Sequence, residues 1–186
     1  TELVNVHAGR NDWYTRQARL ELARRDLASD ITSSYPGLIK LLEQPENNPT
    51  TKVQALLTLH VLGGADKALL RKLSTASHES LRSWSIRILT DDWPLDDAMG
   101  VSPATVSNRK RVRQQARELM PLLLAMANDD ASALVRLSLA SILQRLPIDF
   151  RPILAKALVN REEDRTDHNL PLMIWYGLIP VANQNP

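Results

Sequence analysis

The sequence of 186 residues contains no cysteine. That excludes disulfides, thiolate zinc sites, iron–sulfur ligation, covalent haem attachment and a cysteine nucleophile within these residues. Long hydrophobic runs are also missing: no apolar stretch reaches the roughly 18 residues that a membrane-crossing helix needs. Glycine is scarce, six in all, and there is no Gly-rich phosphate loop. The single pair, Gly63-Gly64, reads as a helix C-cap. No charge of one sign dominates, because 23 Lys and Arg against 21 Asp and Glu leave only +2. Net charge therefore gives no reason to expect nucleic acid. Aromatics make up 4% of the chain, and four of them are Trp.

What is present is the composition of a globular protein, 44% hydrophobic and 24% charged, with enough chain for one sizeable domain or a short array of repeats. Thr1 is not an initiator Met, and the opening residues carry no basic segment followed by an apolar one. A piece of a longer chain without a signal peptide is expected.

Apolar spacing is helical throughout, and no alternating strand pattern bounded by turns occurs. The fold class expected is all-α. The periodicity predicts helices over 13–26, 36–44, 50–62, 66–75, 79–90, 109–128, 132–146, 149–161 and 170–180, separated by short links rich in Pro, Gly, Asn, Asp and Ser. Links this short join antiparallel pairs.

Every second helix repeats one grammar: a small polar cap, three residues, a basic residue, then an apolar run. It reads Asp12-WYT-Arg16, Asn48-PTT-Lys52, His78-ESL-Arg82 and Ser132-ALV-Arg136. Asp, Asn and Ser are good caps, and His a poorer one that Ser77 can replace. Helix 170–180 fits the same register as a fifth member without the basic residue, with Met173 in its place. Self-similarity of this kind marks stacked helical hairpins. The units run at about 1–30, 35–63, 65–91, 109–146 and 149–181, with an insertion over 91–108.

This grammar resembles the HEAT repeat family, most clearly at Leu81-Arg82 and Val135-Arg136. The resemblance implies an α-α superhelix of about five stacked antiparallel hairpins forming a single domain. The wording of NDWYTRQAR at 11–19, KVQALLTL at 52–59, SLRSWSIRIL at 80–89, ALVRLSLASILQRLP at 133–147 and NLPLMIWYGLIP at 169–180 is similar to the HEAT region of large bacterial membrane-bound dehydrogenases. In those proteins a β-propeller precedes the repeats and a c-type cytochrome segment with Cys-x-x-Cys-His often follows. The resemblance implies a non-catalytic interaction or spacer scaffold whose partners are neighbouring domains or another protein. It also implies that the scaffold itself carries no cofactor, and it places the parent in the periplasm or at a membrane.

Several residues carry alternative readings. The ladder Arg16, Lys52, Arg82 and Arg136 either reads an acidic partner or, as is usual at this position in HEAT helices, pairs with acids and carbonyls of the adjoining repeat. Two residues beyond the basic position lie Gln54, Trp84, Ser138 and Trp175, with Arg87 one turn further on. That column either lines a concave partner-binding groove, where Trp and Arg make hot spots, or fills gaps between repeats. Trp13 is expected to cover the open N-terminal end of the stack.

The run NRKRVRQQAR holds Arg109, Lys110, Arg111, Arg113 and Arg117. Spread around a helix that starts there, they read as a solvated face neutralised by the nearby DDWPLDD. With Trp84, Trp175 and Arg87 they also keep open a second class, a HEAT-like DNA glycosylase or DNA-binding protein; a third is an independent peptide-binding scaffold. No catalytic or metal set emerges: His7, His60, His78 and His168 lack ligand spacing. The acids Asp91, Asp92, Asp96 and Asp97 match no calcium-loop pattern.

Overall fold

The computed structural model describes residues 2–9, 11–26, 32–97 and 100–184. Among the described residues the fold is all-helical, with ten α-helices joined by turns and 3-10 segments and no β-strand beyond one isolated bridge, Asp97 to Gly100. The chain divides into two compact units, Thr1–Ser85 and Ile86–Pro186.

The first unit opens with α1 (Glu2–Asn5) and a 3-10 turn at Val6–Ala8, both packed on α2 (Asp12–Asp26). Asn11, not Asp12, occupies the capping place: its side-chain oxygen accepts from the Trp13 amide at 3.0 Å, and its carbonyl begins the helical ladder. The helices α3 (Tyr35–Glu43) and α4 (Pro49–Val61) form a packed hairpin whose seam buries Leu38, Leu42, Ala55, Leu56 and Leu59. Asn48 caps α4 by accepting from the Thr51 amide at 2.8 Å, and Pro49 follows at the first helical position, where a missing N–H costs nothing. At the far end Gly63 takes φ 74°, a conformation glycine adopts without strain. Then come α5 (Lys67–Leu73), capped by Asp66, and α6 (Glu79–Leu89), which runs across the division between the units.

The second unit is built on α7 (Pro103–Asp129). It starts six residues before the apolar periodicity does, because Ser102 caps it, accepting from the Thr105 amide at 3.2 Å, and Pro103 stands at its first position. A third of what reads as an insertion is therefore helix. After α7 come α8 (Ala133–Ser141), tightening into a 3-10 turn at Ile142–Arg145, then α9 (Arg151–Val159) and α10 (Leu170–Gln184). One cluster joins these helices, with Ala116, Leu123, Val135, Leu139, Leu143, Leu146 and Leu154 fully enclosed. Each such Leu contributes about 1.5–3 kcal/mol of burial. Trp93, from the segment before α7, is 2% exposed within this cluster. Its indole Nε1 has no hydrogen-bond partner among the described residues.

Close approach sets the seat of α10. A Cβ on Gly177 would lie 2.5 Å from the Leu143 Cβ, so only glycine allows this contact. Pro180 lies inside the same helix and has no amide to offer the Tyr176 carbonyl.

Candidate interaction surface

The 15 residues of α10, LPLMIWYGLIPVANQ, include no charged side chain. One face, with Leu170, Ile174 and Gly177, packs inward. The opposite face presents Leu172, Trp175 and Tyr176, 49%, 60% and 44% exposed. These three stand at i, i+3 and i+4 and so form one apolar stripe. In the first unit, α2 carries its own exposed set of Trp13, Tyr14 and Leu20, with Trp13 and Tyr14 packed edge to face at 5.0 Å. Trp13, expected to cover the open N-terminal end, is 59% exposed.

The column of candidate binding residues does not share one environment. Trp175 and Arg87 are exposed and Trp84 is half-buried. Ser138 is buried, its hydroxyl donating to the Leu134 carbonyl at 3.0 Å. The Gln54 side-chain oxygen accepts from Arg19. Arg87 opens onto a cleft of about 250 Å³ shared with Leu95, Ser141, Gln144, Arg145 and Met173. Equal register thus gives unequal exposure.

The basic ladder is equally uneven. Arg16 is exposed, Lys52 half-buried. Arg82 donates to the Ala76 and Ser77 carbonyls at 2.9 Å each, closing the turn before its own helix. Arg136 is 2% exposed and forks onto Asp164, with a further bond to the Asp130 carbonyl at 2.9 Å. The Asp164 carboxylate raises the Arg136 pKa above its usual value. Of the caps, His78 accepts from the Ser80 amide at 3.2 Å and Ser132 from the Val135 amide at 3.3 Å.

Two buried polar centres have no signal in the repeat grammar. In the first unit His7 is 1% exposed; its Nδ1 donates to the Leu3 carbonyl at 3.0 Å, and its Nε2 lies 2.7 Å from the Thr58 hydroxyl. Burial lowers the imidazole pKa, only partly offset by the Leu3 bond, and the Arg19 charge lowers it further. Because Thr58 is fully buried too, this His–Thr pair presents no hydroxyl to a substrate.

In the second unit the Arg151 guanidinium, 0% exposed, pairs with Asp96. It also donates to the carbonyls of Leu146 at 2.8 Å, Gly177 at 3.1 Å and Gln144 at 3.3 Å. Burial lowers the Arg151 pKa, and Asp96 opposes that shift. Asp96 in turn accepts from the Ser102 amide at 2.9 Å and the Thr105 hydroxyl at 2.5 Å. A single buried ion pair thus ties the start of α7 to the turn before α9 and to α10.

The basic run sits in the second and later turns of α7, clear of the helix N-terminus, where cations would oppose the helix dipole. Nor are its charges evenly spread. At about 100° per residue, Arg109, Lys110, Arg113 and Arg117 share one arc of about 100°, and Arg111 alone points elsewhere. Arg111 pairs with Asp92 at 2.5 Å and Arg113 with Asp149 at 2.7 Å. Arg109, Lys110 and Arg117 are exposed and form no ion pair with a described residue. Beside Arg109 and Arg113 lies a pocket of about 150 Å³, floored by Val101, Val106, Val112, Pro147 and Ile148.

Chemically, these features define an all-helical protein whose best-built polar groups hold its own helices together and whose free surface is apolar on α10 and basic on α7. Among the described residues no group of three or more His, Asp or Glu is placed to hold a metal ion, and no helix is long and apolar enough to cross a membrane. No family model, no curated protein and no solved structure matches the chain.

Proposed function

We propose that the chain is a non-catalytic protein-interaction or spacer module, a HEAT-like stack of about five antiparallel hairpins. Its resemblance to the helical region of bacterial membrane-bound dehydrogenases makes neighbouring domains of such a parent its first partners, in the periplasm or at a membrane. The observation that carries this reading is the bare stripe of Leu172, Trp175 and Tyr176 on a helix without a single charge. Exposed aromatic side chains arranged on one helix face are the residue types that dominate binding energy at protein interfaces. The buried pairs Arg136–Asp164 and Arg151–Asp96 support it from the other side, since their charges are spent on internal geometry.

The test has two arms. The purified chain, incubated with haem and with sugar or polyol substrates plus an artificial electron acceptor, is expected to show neither a Soret band nor turnover; either one overturns the proposal. Reading the gene on both sides of these codons is expected to reveal a propeller or a Cys-x-x-Cys-His segment. Finding neither would move the reading to an independent peptide-binding scaffold.

A further inference from the structure

The pocket beside α7 combines three properties: a small apolar floor, a basic rim and walls held by a buried ion pair. Its floor is aliphatic, from Val101, Val106, Val112, Pro147 and Ile148. Its rim carries two guanidiniums, Arg109 and Arg113, against one carboxylate, Asp149. Lys110 and Arg117 extend the positive face along the same helix.

The walls are fixed from behind. Asp96 accepts from Ser102 and Thr105 on the α7 side, and Arg151 donates to the Gln144 and Leu146 carbonyls on the side of the Pro147–Asp149 turn. A pocket whose two sides answer to one buried pair is preorganised, which lowers the ordering cost of binding.

Resting on the interaction-module reading, we infer that this pocket docks an acidic peptide segment through one aliphatic side chain, with flanking Asp or Glu residues engaging Arg109, Lys110 and Arg117 on the basic face of α7. Size points to a side chain: about 150 Å³ is the scale of a cavity that holds a single benzene, and well below the roughly 300 Å³ at which small-molecule sites begin. Chemistry separates a peptide from a nucleic acid. No aromatic residue lines the pocket, so nothing there offers the stacking platform that single-stranded nucleic acid uses, whereas an aliphatic floor suits Leu, Ile or Val. Charge sets the sign, because Arg109, Lys110 and Arg117 form no ion pair with a described residue.

The experiment is fluorescence polarisation with the intact chain in about 0.15 M salt, where surface charges are screened within roughly 8 Å. The probe is a labelled seven-residue peptide of Glu and Asp around one central Leu. Binding with Kd below about 100 µM is expected, in the range of weak modular interfaces. Placing Ala at the centre is expected to weaken it about tenfold, and Arg109→Glu about three- to fivefold. Arg16→Glu, an equal charge reversal on an exposed α2 position, is expected to change nothing. Because Arg109 is exposed and forms no ion pair with a described residue, its variant is expected to fold, and circular dichroism checks that.

No binding up to about 1 mM peptide, or binding indifferent to the central Leu, overturns the inference. So does tighter binding of a labelled single-stranded DNA of the same length, which assigns the face to phosphate. Failure here leaves the absence of turnover and of a Soret band untouched, so loss of this pocket and loss of the interaction-module reading are separately visible.

Discussion

Replacing Asp96 by Asn keeps the shape of the side chain and an oxygen for the Ser102 amide, and removes the charge opposite Arg151. The guanidinium is 0% exposed, and its remaining partners are the neutral carbonyls of Gln144, Leu146 and Gly177. Leaving one member of a buried pair uncompensated costs about 3–5 kcal/mol. Total stability of a domain this size is about 5–15 kcal/mol, so Asp96→Asn consumes a large share of it. Urea denaturation followed by circular dichroism is the assay, with Arg151→Met and the double variant completing the cycle. Arg151→Met removes the charge from the other side and leaves Asp96 with Ser102 and Thr105. The double variant leaves no unpaired charge, so its cost should fall short of the summed single costs by at least about 2 kcal/mol. Strict additivity, or a single-variant cost under about 1 kcal/mol, would refute the account of this pair as the organiser of the second unit.

Gly177→Ala improves intrinsic helix propensity, yet its Cβ would stand 2.5 Å from that of Leu143; a net loss of about 1–3 kcal/mol by thermal denaturation is expected from the forced separation of α10. His7 has a folded-state pKa lowered by burial and by Arg19. Its contribution is therefore fully present above the unfolded value of about 6.5 and declines as pH falls through the folded value; urea midpoints between pH 8 and pH 5 should drop more for the native chain than for His7→Gln. Trp175→Asp alters a side chain that is 60% exposed, so stability should change by no more than about 0.5 kcal/mol, while association with a neighbouring domain, measured by calorimetry, should weaken at least about tenfold.

Helix identity was legible because each helix carries its own apolar period, and eight of the nine segments read from sequence begin within two residues of an observed helix or its leading 3-10 turn. The start of α7 was not, since its first turns contribute little to the core and its cap, Ser102-Pro103, lies in a polar, Pro-containing stretch. Fates along the ladder were also hidden. Arg16 and Arg136 occupy one register, but Arg136 meets Asp164 from 28 residues further on and Arg16 stays exposed. Arg151 and Asp96 are 55 residues apart, and neither belongs to the repeating pattern. Periodicity reports which face of a helix is covered; which side chain comes from elsewhere to cover it is a tertiary fact.

The few tryptophans are distributed in a way that makes the protein its own spectroscope. Each unit holds one exposed indole, Trp13 or Trp175, and one more covered, Trp84 or Trp93. Trp93 sits in apolar surroundings with its Nε1 unbonded by any described residue, the environment from which an indole emits furthest to the blue, so its emission should redden only when the second unit opens. A quencher confined to water reaches the exposed pair while the fold is intact. With that pair silenced, the colour of Trp93 reports the opening of the second unit in unlabelled protein.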